Sequence, residues 1–275
     1  MSTLRELKRR IKSVTSTRQM TQAMKMVSVS KYNRALARYN AFLPYQAQCA
    51  RLERALGGLS LTLPEGRTVR RVCYVVLTGN RGLCGDYNQE VLRLLRQTLA
   101  AQTLPYDVMF CGRWADENAA DIPHTLFPLD DIPTWEQSNA LARQLLDRFT
   151  RGEADEVYFV YQQFKNVLTQ VPACEKFLPQ APAEAGKQEE YLFEPDREAL
   201  GRALLERCVY ARVYEILLGA ATGFQGAMMM TMRAAADNSE TMLESLSLTM
   251  NRLRQSSVTT QVLEISSAAI QEESL

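Results

Sequence analysis

With 275 residues, 46% of them apolar and 23% charged, the chain can bury a substantial core as one large domain or two smaller ones, which excludes a disordered polymer. No uninterrupted apolar run approaches the roughly 20 residues that a bilayer-crossing helix needs. A formal charge of +1 hides a lopsided distribution: residues 1–38 carry Arg5, Lys8, Arg9, Arg10, Lys12, Arg18, Lys25, Lys31, Arg34 and Arg38 against Glu6 alone, a local +9 that leaves −8 for the rest. Such an arm invites three readings: a nucleic-acid-binding helix, an organellar targeting peptide, or the solvated face of a long helix that meets an acidic partner.

The chemistry-bearing residues narrow the field. One histidine, His124, lies between Pro123 and Thr125 in a proline-rich loop, so a multi-histidine metal centre is excluded and a surface role is expected. No G-x-S-x-G elbow accompanies it, which argues against triad chemistry. The cysteines Cys49, Cys73, Cys84, Cys111, Cys174 and Cys208 form no C-x-x-C pair. Reduced thiols in a cytosolic compartment, most of them small core residues, are expected.

Taken in chain order, residues 4–56 contain no glycine and one proline, with apolar positions mostly at three-four spacing and shifted phase. A long helix is expected, kinked or jointed at Pro44 and ended by Gly57-Gly58. "RRVCYVVLT" and "YDVMFCG" then read as short buried strands joined by a helix over 88–101, a βαβ unit. A helix over 135–149 follows. "DEVYFVYQQF" and "VLTQVPACEKFLP" look like two longer strands flanking a turn near Lys165 and Asn166. From about Glu198 to Ile270 proline is again absent, and Leu243, Leu246, Met250 and Leu253 keep heptad spacing. Gly219, Gly223 and Gly226 each lower helix propensity by about 1 kcal/mol against alanine, so strain or close helix approach is expected there.

Length decides the architecture. At about 1.5 Å per residue the two terminal helices are roughly 80 and 100 Å long, against about 30 Å for a small domain. A domain of this size cannot bury them alone. The expected fold is α/β: long N- and C-terminal helices (1–57 and 198–275) pair as an antiparallel coiled coil, and a Rossmann-like α/β base (68–197) is inserted between them, with much of the shaft surface serving another protein.

The loop Gly79-x-x-Gly82-x-x-Gly85 follows a strand and opens a helix, as a phosphate cradle would. Its spacing is not G-x-G-x-x-G, no lysine followed by Ser or Thr is present, and the second strand has Asp107 at its start rather than an acid at its end. A tight structural turn, with Asp86 capping the helix, is the better reading, and no cofactor is expected.

Four segments in order, "IKSVTSTRQMTQAMKMVSVSK" (11–31), "NRGLCGDYN" (80–88), "FEPD" (193–196) and "NRLRQSSVTTQVLEI" (251–265), resemble the gamma subunit of F-type ATP synthases, from one end of the chain to the other. The resemblance implies a non-catalytic rotor shaft: ion flow turns a membrane-embedded ring, the ring carries the α/β base, and the asymmetric coiled coil changes each catalytic beta subunit in turn. It implies alpha, beta and epsilon subunits and the ring as partners. It also implies a peripheral place at the cytoplasmic face of the cell inner membrane, with membrane association through the complex only. Residues matching the family's beta-subunit contact region are Met24 and Lys25 on one helix and Arg254, Gln255 and Thr259 on the other; Glu194 and Asp196 are expected near the ring. The basic arm then belongs to a retained helix, since "IKSV" and "AMKMV" are part of the matching shaft. One departure stands out. Where the family has a Ser-Glu segment followed by Arg, this chain reads "ATGFQGAMMMTM" with Gly223 and Ala227 at those positions, so an intrahelical ion pair is missing.

The competing reading, a basic coiled-coil nucleic-acid-binding protein, requires affinity that falls steeply with salt. Against it, aromatic residues are absent before Tyr32 and no recognised binding module is present, so no nucleic-acid partner is expected.

Overall fold

A computed structural model describes residues 4–56, 68–180 and 197–273. Gly57-Gly58 and the "FEPD" segment lie outside the described residues. The element order is α1 (Leu4–Leu56), β1 (Val72–Leu77), α2 (Tyr87–Ala100), β2 (Tyr106–Cys111), α3 (Arg113–Asn118), β3 (His124–Leu126), α4 (Trp135–Arg151), β4 (Glu156–Phe164), β5 (Gln170–Leu178) and α5 (Arg197–Glu273). The chain divides into two compact units, one of Ser28–Met230 and one combining Met1–Val27 with Thr231–Leu275.

In the larger unit one five-stranded sheet runs in the order β3-β2-β1-β4-β5. The β1/β2, β1/β4 and β2/β3 pairs are parallel, and β4/β5 is an antiparallel hairpin. β1 is buried throughout, so its period of two sends alternate residues into two different cores. Cys73, Val75 and Leu77 join α4 residues Leu141, Ala142, Leu145 and Phe149 and α5 residues Val209, Val213, Ile216 and Leu217. Val72, Tyr74 and Val76 join Val91, Leu92 and Leu95 of α2 and Ala115 of α3. The lower part of α5 is thus one of the layers covering the sheet.

Within the same unit α1 and α5 run antiparallel. A Cβ on Gly226 would meet Tyr32, one on Gly219 would meet Tyr39, Phe42 packs edge-on to Tyr214 at 4.8 Å, and Cys208 Sγ approaches the Cys49 carbonyl at 3.6 Å. As the partner number rises along α1 it falls along α5. The glycines are therefore sites of close approach, as expected, each giving room to a tyrosine ring. The helix persists across all of them, because packing against aromatic faces outweighs about 1 kcal/mol of lost propensity per glycine. The "ATGFQGAMMMTM" segment that lacks an ion pair is held by burial instead: Thr222, Phe224, Gln225 and Met228 are all less than a tenth exposed.

Three local expectations are corrected. No joint divides α1 at Pro44, since the helix runs through it. The proline removes one hydrogen bond to the Asn40 carbonyl, while Phe42 and Tyr45 pack on Trp135 at 5.9 and 6.4 Å and hold that stretch against α4. Sequence reading also missed α3 and β3, which have only six and three residues. Elements this short carry no readable period, and their pairing supplies what propensity does not. His124 consequently lies on an edge strand, with its side chain only 15% exposed.

In the smaller unit, Leu7 and Thr21 of α1 and Met232, Ala236 and Ser239 of α5 are buried, and Arg18 pairs with Glu240 at 3.2 Å. The seam accommodates hydroxyls because they bond their own helix: Thr21 Oγ1 donates to the Arg18 and Thr17 carbonyls and Ser239 Oγ to the Ala235 carbonyl.

Candidate functional site

An open parallel sheet takes ligands at the carboxyl ends of its strands, where the order reverses. Here the order reverses between β1 and β4, so the crevice borders the carboxyl end of β1 beyond Leu77, and α5 packs over that end. Phe224 lies so close over the glycine loop that a Cβ on Gly79 would stand 2.1 Å from its ring. Tyr87 stacks edge-on to Phe224 at 5.7 Å and donates its hydroxyl to the Ala220 carbonyl at 2.7 Å. Burial holds the Tyr87 phenol protonated, well above its ordinary range. Gly112, at φ 139°, brings the end of β2 against β1, with its missing Cβ 2.3 Å from the Thr78 carbonyl oxygen.

The loop is also tied to the helix that follows it. Gly79 N–H donates to Asn88 Oδ1 at 2.9 Å, and Asn88 Nδ2 donates to the Arg81 carbonyl at 3.1 Å. Asp86, expected as the cap, makes no side-chain cap bond. Its backbone (φ −87°, ψ 0°) is already turned, so it lacks the extended geometry that aims a capping oxygen at N2 or N3. Asn88, two residues further on, ties the loop down instead.

What remains is a cavity of about 40 Å³ lined by Thr78, Asn80, Asp131 and Phe224 among others. Thr78 Oγ1, in this lining, has no protein partner. The space suits a water molecule and is far below the roughly 300 Å³ of a small-molecule site. Asp107, at the opposite end of β2, is held by Arg148 at 2.6 Å and is not available to a ribose. Burial pushes the Cys73 thiol up to about 11, and Cys84, Cys111 and Cys208 also titrate above the ordinary thiol range. None is an activated nucleophile.

The glycine loop is fastened to α1 as well. Lys31 Nζ bonds Asp131 Oδ2 at 2.5 Å, and Asn80 Nδ2 donates to Asp131 Oδ1 and to the Leu129 carbonyl. Burial alone would raise the Asp131 pKa, but the hydrogen bonds from Lys31 and Asn80 outweigh it and hold the carboxyl below its usual range. A depressed folded-state pKa stabilises above the unfolded value and is lost as pH falls through the folded one. With both side chains about a third exposed, Lys31→Met is expected to cost about 1 kcal/mol at pH 7. The difference from wild type in urea midpoint should shrink below pH 4.

Of the residues singled out on the shaft, Met24 and Lys25 are half-buried, whereas Arg254, Gln255 and Thr259 are exposed. They do not form one patch. The Arg18–Glu240 pair marks the register, and at about 1.5 Å per residue Arg254 lies about 30 Å along the axis from Lys25. The resemblance grouped them by contact region, and spacing along one helix gives no register across two. Glu194 and Asp196 lie outside the described residues. Signals that sequence reading did not exploit are the apolar residues Val258, Val262, Leu263 and Ile265, which are 53–70% exposed at the end of α5. The three-four spacing of Val258, Val262 and Ile265 was legible, but their lack of a partner helix was not.

Among the described residues no helix is long and apolar enough to cross a membrane, and no cluster of His, Cys, Asp and Glu is arranged to hold a metal. The family model described as ATP synthase matches residues 3–270. The ATP synthase gamma chain of Desulforamulus reducens is 37% identical over 275 residues, covering 96% of this chain and 97% of the relative. That of Moorella thermoacetica is 36% identical, covering 98% and 99%. Among solved structures, the rotor of the Euglena gracilis mitochondrial ATP synthase superposes with a TM-score of 0.68 at 17% identity, covering 93% of this chain and 98% of that one. A filled crevice, two long antiparallel helices and similarity that runs nearly end to end lead to one conclusion: the chain belongs to the ATP synthase gamma-chain family.

Proposed function

We infer that this chain is the central-stalk rotor subunit of an F-type ATP synthase and carries no catalytic site of its own. The observation that carries this reading is the near full-length similarity to chains named ATP synthase gamma chain. The physical features support it. A rotor needs a base gripped by a ring, a stiff axle, and an axle end that works inside another protein. α5 is continuous for 77 residues, about 115 Å, and its lower part belongs to the sheet's own core. Torque applied to the base therefore has a packed path into the helix.

Past Leu253 every described side chain of α5 through Ser266 is exposed. Apolar side chains left bare on a helix end fit a greasy socket in a partner. The exposed arginines and lysines of the N-terminal arm, Lys8, Arg9, Arg10 and Lys12, suit acidic surfaces around it. The partners on this reading are alpha, beta and epsilon subunits and the membrane-embedded ring, at the cytoplasmic face of the cell inner membrane. A rigid asymmetric element that contacts several nucleotide sites differently shifts each site's binding equilibrium as it turns, which is how rotation becomes an allosteric signal.

Tagged chain, gently extracted from its native membranes, should bring down alpha, beta and epsilon subunits; their absence would overturn the reading. Lys25→Ala and Arg254→Ala, made singly, are expected to lower ATP-driven ion pumping several-fold while ATP hydrolysis persists. Pumping per ATP unchanged in both variants would remove these two residues from the working contacts.

A further inference from the structure

The chain's one histidine has no part in this reading. His124 lies on β3, the last strand of the sheet, with its ring 4.4 Å from that of Phe110. Nδ1 stands 2.7 Å from the Ile122 carbonyl oxygen and Nε2 stands 2.9 Å from Asp116 Oδ1 on α3. A carbonyl and a carboxylate are both acceptors. A neutral imidazole has one N–H and can satisfy one of them; only the imidazolium donates to both.

Other charged groups share a groove with His124. α4 contributes Arg143, Asp147, Arg148 and Arg151 to the groove that His124 lines, β2 contributes Asp107, and Glu153 follows α4. Arg148 is engaged by Asp107 and Glu153. Asp116 is the carboxylate in hydrogen-bond contact with the ring. β3 is held by only three residue pairs, all to β2, so a side-chain tie to α3 is a large share of its attachment.

We propose that His124 is a proton-operated latch: its imidazolium bridges Asp116 and the Ile122 carbonyl and fastens β3 to α3 at the edge of the sheet, and loss of the proton releases one of the two bonds. Burial opposes the charged ring, but the bonds from Asp116 and Ile122 outweigh it and raise the pKa above 6.5. A raised folded-state pKa stabilises at low pH, and the contribution is lost as pH rises through the folded value. The edge therefore loosens on the alkaline side.

A single histidine makes the test unambiguous. In the full chain labelled with [13C]histidine, the imidazole signal should titrate with a midpoint above 6.5, and Asp116→Asn should move that midpoint down. Hydrogen exchange of the Phe127 amide, which donates to the Phe110 carbonyl at 2.8 Å beside β3, is compared with that of Val75 in the central strand. The ratio cancels the intrinsic pH dependence of exchange. It should show Phe127 losing protection as pH rises through the midpoint in wild type, and staying flat in His124→Gln. A midpoint at or below 6.5, a midpoint indifferent to Asp116→Asn, or a wild-type ratio independent of pH would each overturn the latch.

Discussion

Gly112→Ala is expected to destabilise the chain by about 3 kcal/mol or more, placing it in the severe tail of single substitutions. Two causes act together. At φ 139° an L side chain is strained wherever it points, and the new Cβ would stand 2.3 Å from the Thr78 carbonyl oxygen and 2.7 Å from its Oγ1. The carbonyl cannot swing away cheaply, because the Thr78 backbone is itself tied to β2 through its N–H, bonded to the Cys111 carbonyl at 3.2 Å. Gly82→Ala is the control. Its Cβ would meet Trp114 Nε1 at 3.5 Å, an ordinary contact, and it should stay within about 0.5 kcal/mol of wild type. Urea denaturation followed by tryptophan fluorescence compares the two; equal midpoints would show that the ends of β1 and β2 do not depend on glycine.

The second large effect concerns the seat of α5. Phe224→Ala should cost about 3–5 kcal/mol, since a buried ring leaves a cavity at the end of the sheet. Gly79→Ala should be comparably harmful by the opposite route, driving a methyl into the space the ring holds. Because both act on one contact, they should not add. The double variant is expected to be more stable than the sum of the two losses predicts by about 0.5–3 kcal/mol, the range seen for touching residues. Strict additivity would mean that Phe224 does not occupy the crevice. On the rotor reading, Phe224→Ala in the assembled complex should lower ion pumping per ATP hydrolysed, because the seat is part of the path from base to axle.

These predictions mark where the primary structure was informative and where it stopped. Long three-four patterned ends, glycine-free over α1 and proline-free over α5, declared both helices, because helix periodicity accumulates over many turns. β1, β2, β4 and β5 were equally legible as buried runs of β-branched and aromatic residues. The sequence also shows directly that the glycine loop lacks the residues that hold a phosphate. What replaced the phosphate was not readable: Phe224 lies 145 positions from Gly79, and only the close approach of α5 brings the two together. The same holds for Asn88 in place of Asp86, whose advantage depends on the loop's dihedral angles.

Composition, period and turn chemistry, all local properties, thus determined by themselves that this is an α/β body between two long helices with no catalytic constellation. Register between helices and the pairing of short elements were decided only by the tertiary structure. Arg254 stands about 30 Å from Lys25 along the shaft, an offset that the Arg18–Glu240 pair marks, and no spacing within one helix encodes that. His124 left the expected loop for a strand because Phe110, Asp116 and Ile122, drawn from three neighbouring segments, converge on its ring. Contacts of this kind are long-range choices among partners, and their free energy exists only once the chain is packed.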